Sequence, residues 1–160
     1  MLKEQASLTA EIKPRPEAVS VEELVKRAVR GVLPPEEKLR FEGAADRKNI
    51  RVDPDLMEQV FRELILYAAR RVEKDLELTV RVHDYGEKVC ISLHDNGPTI
   101  PCDEKDRIFD PFSDYGRSPR GWGLPTVRRI IEAHGGKIEV GRSEVGAQFL
   151  IYLPSKGAPE

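Results

Sequence analysis

Asp53 followed by Pro54 marks the start of a helix, with a side-chain oxygen at the N-cap and proline at the first helical position. Leu56, Val60, Leu64, Ala68 and Val72 then fall near one face for about five turns. A helix this long with one apolar stripe has to bury that stripe against a second layer. The residues that follow supply one. Segments 76–83 and 88–94 are rich in β-branched residues and flank Asp84-Tyr85-Gly86-Glu87, which predicts an antiparallel hairpin. Upstream, Ser20 and Glu23 form a capping box ahead of Leu24, Val25, Ala28 and Val29, so a helix is expected over 21–31, ended by Pro34-Pro35. Short strands are expected over 38–43 and 49–52. Residues 125–134 are expected to be helical and to stop at Gly135-Gly136, with His134 as a cationic residue at the helix C-terminus. Strands over 137–141 and 147–153 close the chain. This order predicts an α+β fold: a two-layer sandwich with helices on one face of a mixed sheet.

A length of 160 residues fits one domain. The expected organisation is an N-terminal arm or linker over 1–17, with one edge strand at 8–13, then a domain over 18–154 and a tail over 155–160. With 26 Lys+Arg against 28 Asp+Glu, the chain lacks the cationic excess on which a dedicated nucleic-acid binder depends. Its apolar runs, such as 64–69, fall short of the roughly 20 residues that span a bilayer. Met1 is followed by Leu2-Lys3-Glu4-Gln5, without the apolar segment of a secretory signal, so no membrane insertion and a cytoplasmic location are expected. Cys90 and Cys102 make neither a disulfide framework nor a metal site. The first is expected to be a buried small hydrophobe and the second a loop thiol.

Between the hairpin and the last helix, residues 95–123 show little periodicity and carry six glycines and prolines from Gly97 to Pro119. A loop of that length in a compact domain is usually functional. Its residues include Asp95-Asn96-Gly97-Pro98, then Ile108-Phe109-Asp110-Pro111-Phe112, then Gly121-Trp122-Gly123-Leu124-Pro125-Thr126-Val127, running on to His134-Gly135-Gly136. In that order they resemble the G1, F and G2 boxes of the histidine-kinase catalytic domain, in the superfamily shared with gyrase B, Hsp90 and MutL. Asp53-Pro54-Asp55-Leu56 and the following helix resemble that family's N-box helix, and the resemblance covers residues 18–154.

The resemblance implies the Bergerat-type ATP-binding fold and assigns roles to residues. Asp95 would accept a hydrogen bond from the adenine amine. Gly97, Gly121 and Gly123 would let backbone N–H groups approach the phosphates, with the helix start at Leu124 adding favourable potential. Phe112 lies in the F box, where Phe109 and Phe112 read as aromatic plugs that pin the loop. On the central helix, Glu63, Tyr67 and Arg70 follow one another at single-turn spacing. Glu63 would be the catalytic acidic residue and Arg70 would touch the phosphates.

Four positions depart from the family pattern. Tyr67 stands where a Mg²⁺-ligating asparagine is expected, and a neutral phenol is a poor ligand for a hard cation. Thr99 replaces a glycine, Pro119 removes an N–H from the phosphate cradle, and Ala147 replaces a hydroxyl residue after Gly146. ATP is therefore the implied ligand, with Mg²⁺ not expected at Tyr67 and no metal site assigned. Two functions follow from the resemblance. One is the ATP-binding catalytic domain of a two-component sensor histidine kinase, with impaired Mg-ATP use. The other is a pseudo-kinase module that regulates a kinase or response regulator without binding ATP. A third reading, a self-contained ATPase with Glu63 as general base, calls for a second domain that this length does not hold. The implied partners are a histidine-containing dimerisation domain or kinase and a response regulator. His83, His94 and His134 each lie in or at the end of a predicted strand or helix, unlike a phosphoacceptor on a helical hairpin.

Plainer readings stand beside these. Asp95-Asn96-Gly97 also forms turns, and Glu63 reads equally as a solvated or salt-bridged helix residue. Arg70 and Arg71 could meet phosphates or could simply be the basic end of a helix. Trp122 could fill the nucleotide pocket, face a partner or pack.

Overall fold

The computed structural model describes residues 12–30, 38–43, 49–72, 74–111 and 123–156. In chain order they form β1 (Glu17–Ser20), α1 (Val21–Val29), β2 (Leu39–Gly43), β3 (Asn49–Val52), α2 (Pro54–Arg71), β4 (Leu78–Asp84) and β5 (Lys88–Asp95). A 3₁₀ turn (Arg107–Phe109), α3 (Leu124–Ala133), β6 (Lys137–Val140) and β7 (Gln148–Pro154) follow. Five strands make one mixed sheet in the order β2-β4-β5-β7-β6. Strand β2 runs parallel to β4, and the other neighbours are antiparallel. Period-two alternation puts Val80, Val82, Val89, Ile91, Leu93, Phe149 and Ile151 into the core with Leu24, Val60, Leu64 and Val127 from the helices. Thr79, Arg81, Ser92 and Leu150 occupy the intervening positions. This is the α+β sandwich expected from the pattern.

Both expected N-caps form. The Ser20 hydroxyl accepts from the Glu23 N–H, and Asp53 Oδ1 accepts from the Asp55 and Leu56 N–H groups at 3.1 Å. Two features differ from expectation. Residues 17–20, where no strand was expected, are a strand paired antiparallel with β3, Glu17 opposite Val52 and Ser20 opposite Asn49. Four residues carry too little alternation to show a strand, and the partner across the pairing creates it. The edge strand expected at 8–13 falls outside the described residues for 8–11, and Ile12 and Lys13 are irregular.

The second difference is His134, which is 1% exposed. Its Nε2 accepts from the Asp53 N–H at 3.0 Å, and its Nδ1–H donates to the Ile130 carbonyl at 2.7 Å. The imidazole is therefore neutral, with its proton on Nδ1, instead of a cation at the helix end. It ties the end of α3 to the start of α2, the two helices that carry the candidate site.

Cys90 is buried and Cys102 exposed. No helix among the described residues is long and apolar enough to cross a membrane.

Candidate nucleotide site

Asp95 ends β5, and the strand pairings on both sides hold it in place. It is 6% exposed. Oδ1 accepts from the Gly97 N–H at 2.8 Å and the Ala147 N–H at 3.0 Å. Oδ2 accepts from Arg71 Nη1 at 3.0 Å. The Asp95 N–H in turn donates to the Ala147 carbonyl, so the residue before β7 grips Asp95 through backbone and side chain together. This close approach requires glycine at 146. There φ is +77°, and an added Cβ would lie 1.8 Å from the Asp95 carbonyl oxygen. At Gly97 an added Cβ would stand 2.6 Å from Val72 Cγ2.

The other end of the site lies one to two turns back along α2. Glu63 is 4% exposed, and its Oε1 accepts from the Gly123 N–H at 3.0 Å. Gly123, at φ +86°, is the N-cap of α3, with Leu124 and Pro125 opening the helix. A carboxylate thus sits at the electropositive end of α3 and accepts one of the N–H groups there. Glu63 is buried, not solvated, and its bond to Gly123 joins two helices. Tyr67, the next residue on that face, is buried, with its ring edge-on to Phe149 at 5.8 Å between centroids. Phe109 packs on the other side of Phe149 at 6.3 Å, as expected of a plug. The Arg71 and Arg70 guanidinium carbons lie 5.3 and 5.9 Å from the Tyr67 ring centroid. Burial pushes the Tyr67 phenol above its usual 10.0 and keeps it neutral at physiological pH.

The structure therefore brings together Asp95 with Gly97, and Glu63 with Gly123 and Leu124, while Arg70 is exposed at the end of α2. Thr99 is exposed and Ala147 buried. Phe112, Pro119, Gly121 and Trp122 lie outside the described residues. Two contributors differ from the site residues expected from sequence: Gly146 is not among them, and Arg71, open between a phosphate contact and the basic end of a helix, meets Asp95. Their signals were present, in the glycine before Ala147 and in the second arginine one turn after Tyr67. Among the described residues, no group of three or more His, Cys, Asp or Glu is arranged to hold a metal ion.

A mixed sheet is backed by helices, a carboxylate is gripped at a strand end, and a glycine-led helix bonds Glu63. Residues 52–157 match the family described as histidine kinase-, DNA gyrase B-, and HSP90-like ATPase, and the chain belongs to that family. The sensor histidine kinase ZraS of Salmonella typhi is 37% identical over 119 residues, 73% of this chain and 26% of ZraS. Sensor protein KdpD of Escherichia coli (strain K12) is 34% identical over 116 residues, 69% of this chain and 13% of KdpD. The chain thus spans about a quarter or less of these relatives. Among solved structures, the nucleotide-free catalytic domain of histidine kinase ThkA superposes with a TM-score of 0.75 at 27% identity, covering 91% of this chain and 99% of that domain. ThkA in complex with the response regulator TrrA gives a TM-score of 0.76 at 26% identity, over 97% of this chain and 46% of ThkA. The fold is that of histidine-kinase ATP-binding catalytic domains.

Proposed function

We propose that this chain binds ATP through Asp95 as the catalytic domain of a cytoplasmic sensor histidine kinase, with weakened use of Mg²⁺. The observation that carries this reading is the state of the Asp95 carboxylate. Two backbone N–H groups fix Oδ1, one guanidinium N–H reaches Oδ2, and a carboxylate has about four acceptor sites. Counting contacts among the described residues, one acceptor position is left for an amine. Gly97 and Gly146 keep the surrounding backbone close enough to hold the carboxylate rigid.

When bound, ATP supplies a transferable phosphoryl group, and catalysis of such transfer rests on positioning and electrostatics. In this chain Asp95 would orient the base. Arg70, exposed at the end of α2, would meet phosphate charge, and the start of α3 would contribute its dipole where Glu63 does not already neutralise it. Mg²⁺ fits poorly, because a buried neutral phenol stands at Tyr67. The phosphoacceptor would be a histidine on a dimerisation domain outside the described residues, and the downstream partner a response regulator.

The packing of Tyr67 and the Glu63–Gly123 bond favour a second reading, a pseudo-kinase module that engages a kinase or response regulator without nucleotide. Isothermal titration calorimetry of the chain with ADP and a non-hydrolysable ATP analogue, with and without Mg²⁺, separates the two. Micromolar binding that Asp95→Asn abolishes supports the first. No heat at millimolar nucleotide, from a folded protein, supports the second.

A further inference from the structure

Among the described residues, three buried side-chain polar atoms have no hydrogen-bond partner: Arg71 Nη2, Thr126 Oγ1 and Ser155 Oγ. The first belongs to the side chain bonded directly to Asp95. Arg71 offers five N–H donors in a planar fork that stays charged at any relevant pH. The ion pair holds that fork in place, with the two side chains 17% and 2% exposed, and the face of Tyr67 lies 5.3 Å from its central carbon. A buried donor left unmet in so fixed a side chain is costly to keep. The side chain of Ala147, on the opposite side of Asp95, has no polar group and contributes only its backbone N–H and carbonyl.

Among the described residues, one acceptor position on Asp95 Oδ2 and the two N–H donors of Arg71 Nη2 therefore remain unfilled within one ion pair. A purine edge that pairs with them must offer a donor beside an acceptor, which is what the N6 amine and ring N1 of adenine present. We propose that Arg71 is a base-specificity residue: its Nη2 donates to N1 of an adenine nucleotide while Asp95 Oδ2 accepts from the N6 amine. This rests on the reading of Asp95 as the base-binding carboxylate. It makes the Arg71–Asp95 ion pair half of the recognition element, with the guanidinium sharing the carboxylate with the base instead of blocking it.

The test compares ADP with 1-deaza-ADP, which keeps the amine but lacks the ring acceptor, by calorimetry without Mg²⁺ on the wild-type chain, Arg71→Met and Arg71→Lys. A hydrogen bond from a charged donor is worth about tenfold or more in affinity. The wild type should bind ADP at least about tenfold more tightly than the analogue. Arg71→Met should bind the two equally, with ADP about tenfold weaker than in the wild type. Arg71→Lys keeps a cation for Asp95 and safeguards the fold, and it too should lose the preference for ADP. Equal affinity of the wild type for both nucleotides would overturn the inference while leaving ATP binding intact. Tighter ADP binding by Arg71→Met would also overturn it, by showing the guanidinium to be a plug. If the folded wild type binds neither nucleotide, the reading of Asp95 fails and this inference with it.

Discussion

Both ends of the candidate site are built on α2, yet they dispose of their polar groups differently. At the base end, Asp95 collects two backbone N–H groups and one guanidinium N–H and still has an acceptor position to give. At the phosphate end, Glu63 has closed on Gly123, and Tyr67 is packed against Phe149 between the sheet and two guanidinium groups. Among the described residues, the first end keeps an acceptor to spare; the second is largely satisfied by the chain itself. Under the proposed function, recognition chemistry at Asp95 would be kept while Tyr67 fills its position with core packing. Backbone donors on Asp95 come from loop geometry and survive side-chain drift. Metal ligation at the Tyr67 position would instead depend on a single side chain, which one substitution changes.

The largest expected effect is at the base end. Gly146→Ala would drive a Cβ into the Asp95 carbonyl at a φ of +77°. Left-handed strain and overpacking together should cost about 4 kcal/mol, read from urea unfolding. A loss under 1 kcal/mol would mean that the grip of Ala147 on Asp95 is loose. Next, Tyr67→Asn should cost about 3 kcal/mol by emptying the space beside Phe149. Combined with Thr99→Gly, it should nonetheless make ADP binding respond to Mg²⁺. No gain from that double change would sink the account of the phosphate end.

Asp95→Asn should cost about 2 kcal/mol, because it strips the partner from a partly buried guanidinium. Smaller again is Glu63→Gln. The amide oxygen can still accept from Gly123, so only the charge at the start of α3 is lost, about 0.5 kcal/mol. A drop of several kcal/mol there would show that the two ends are more alike than described.

The subtlest effect is in alkali. Burial raises the Tyr67 phenol above its usual 10.0, so the folded state holds that proton more tightly than the unfolded chain does. Its contribution is complete below pH 10 and is lost as pH rises through the higher folded value. Tyr152 shifts in the same direction. Tyr67→Phe should therefore flatten part of the fall in stability above pH 10, in thermal melts across that range, and leave neutral-pH stability nearly unchanged.

Much of the fold was legible because it is local. The Asp53 cap, the stripe on α2, the hairpin and the Gly135-Gly136 stop each depend on residues a few positions apart. The ordered boxes also pointed to Asp95, Gly97 and Leu124. What escaped was whatever needs a distant partner. β1 exists through pairing with β3, and His134 is neutral because the Asp53 N–H, 81 residues away, meets its Nε2.

The sequence by itself determined the helices and the strands of the main sheet, the family and the departures at Tyr67 and Ala147. Tertiary structure alone decided which polar groups are already used. Glu63 meets an N–H 60 residues away, and Asp95 meets a guanidinium 24 residues away. A hydrogen bond requires donor and acceptor within about 3 Å of each other, and no spacing along the chain shows that two such atoms will meet once the helices have packed.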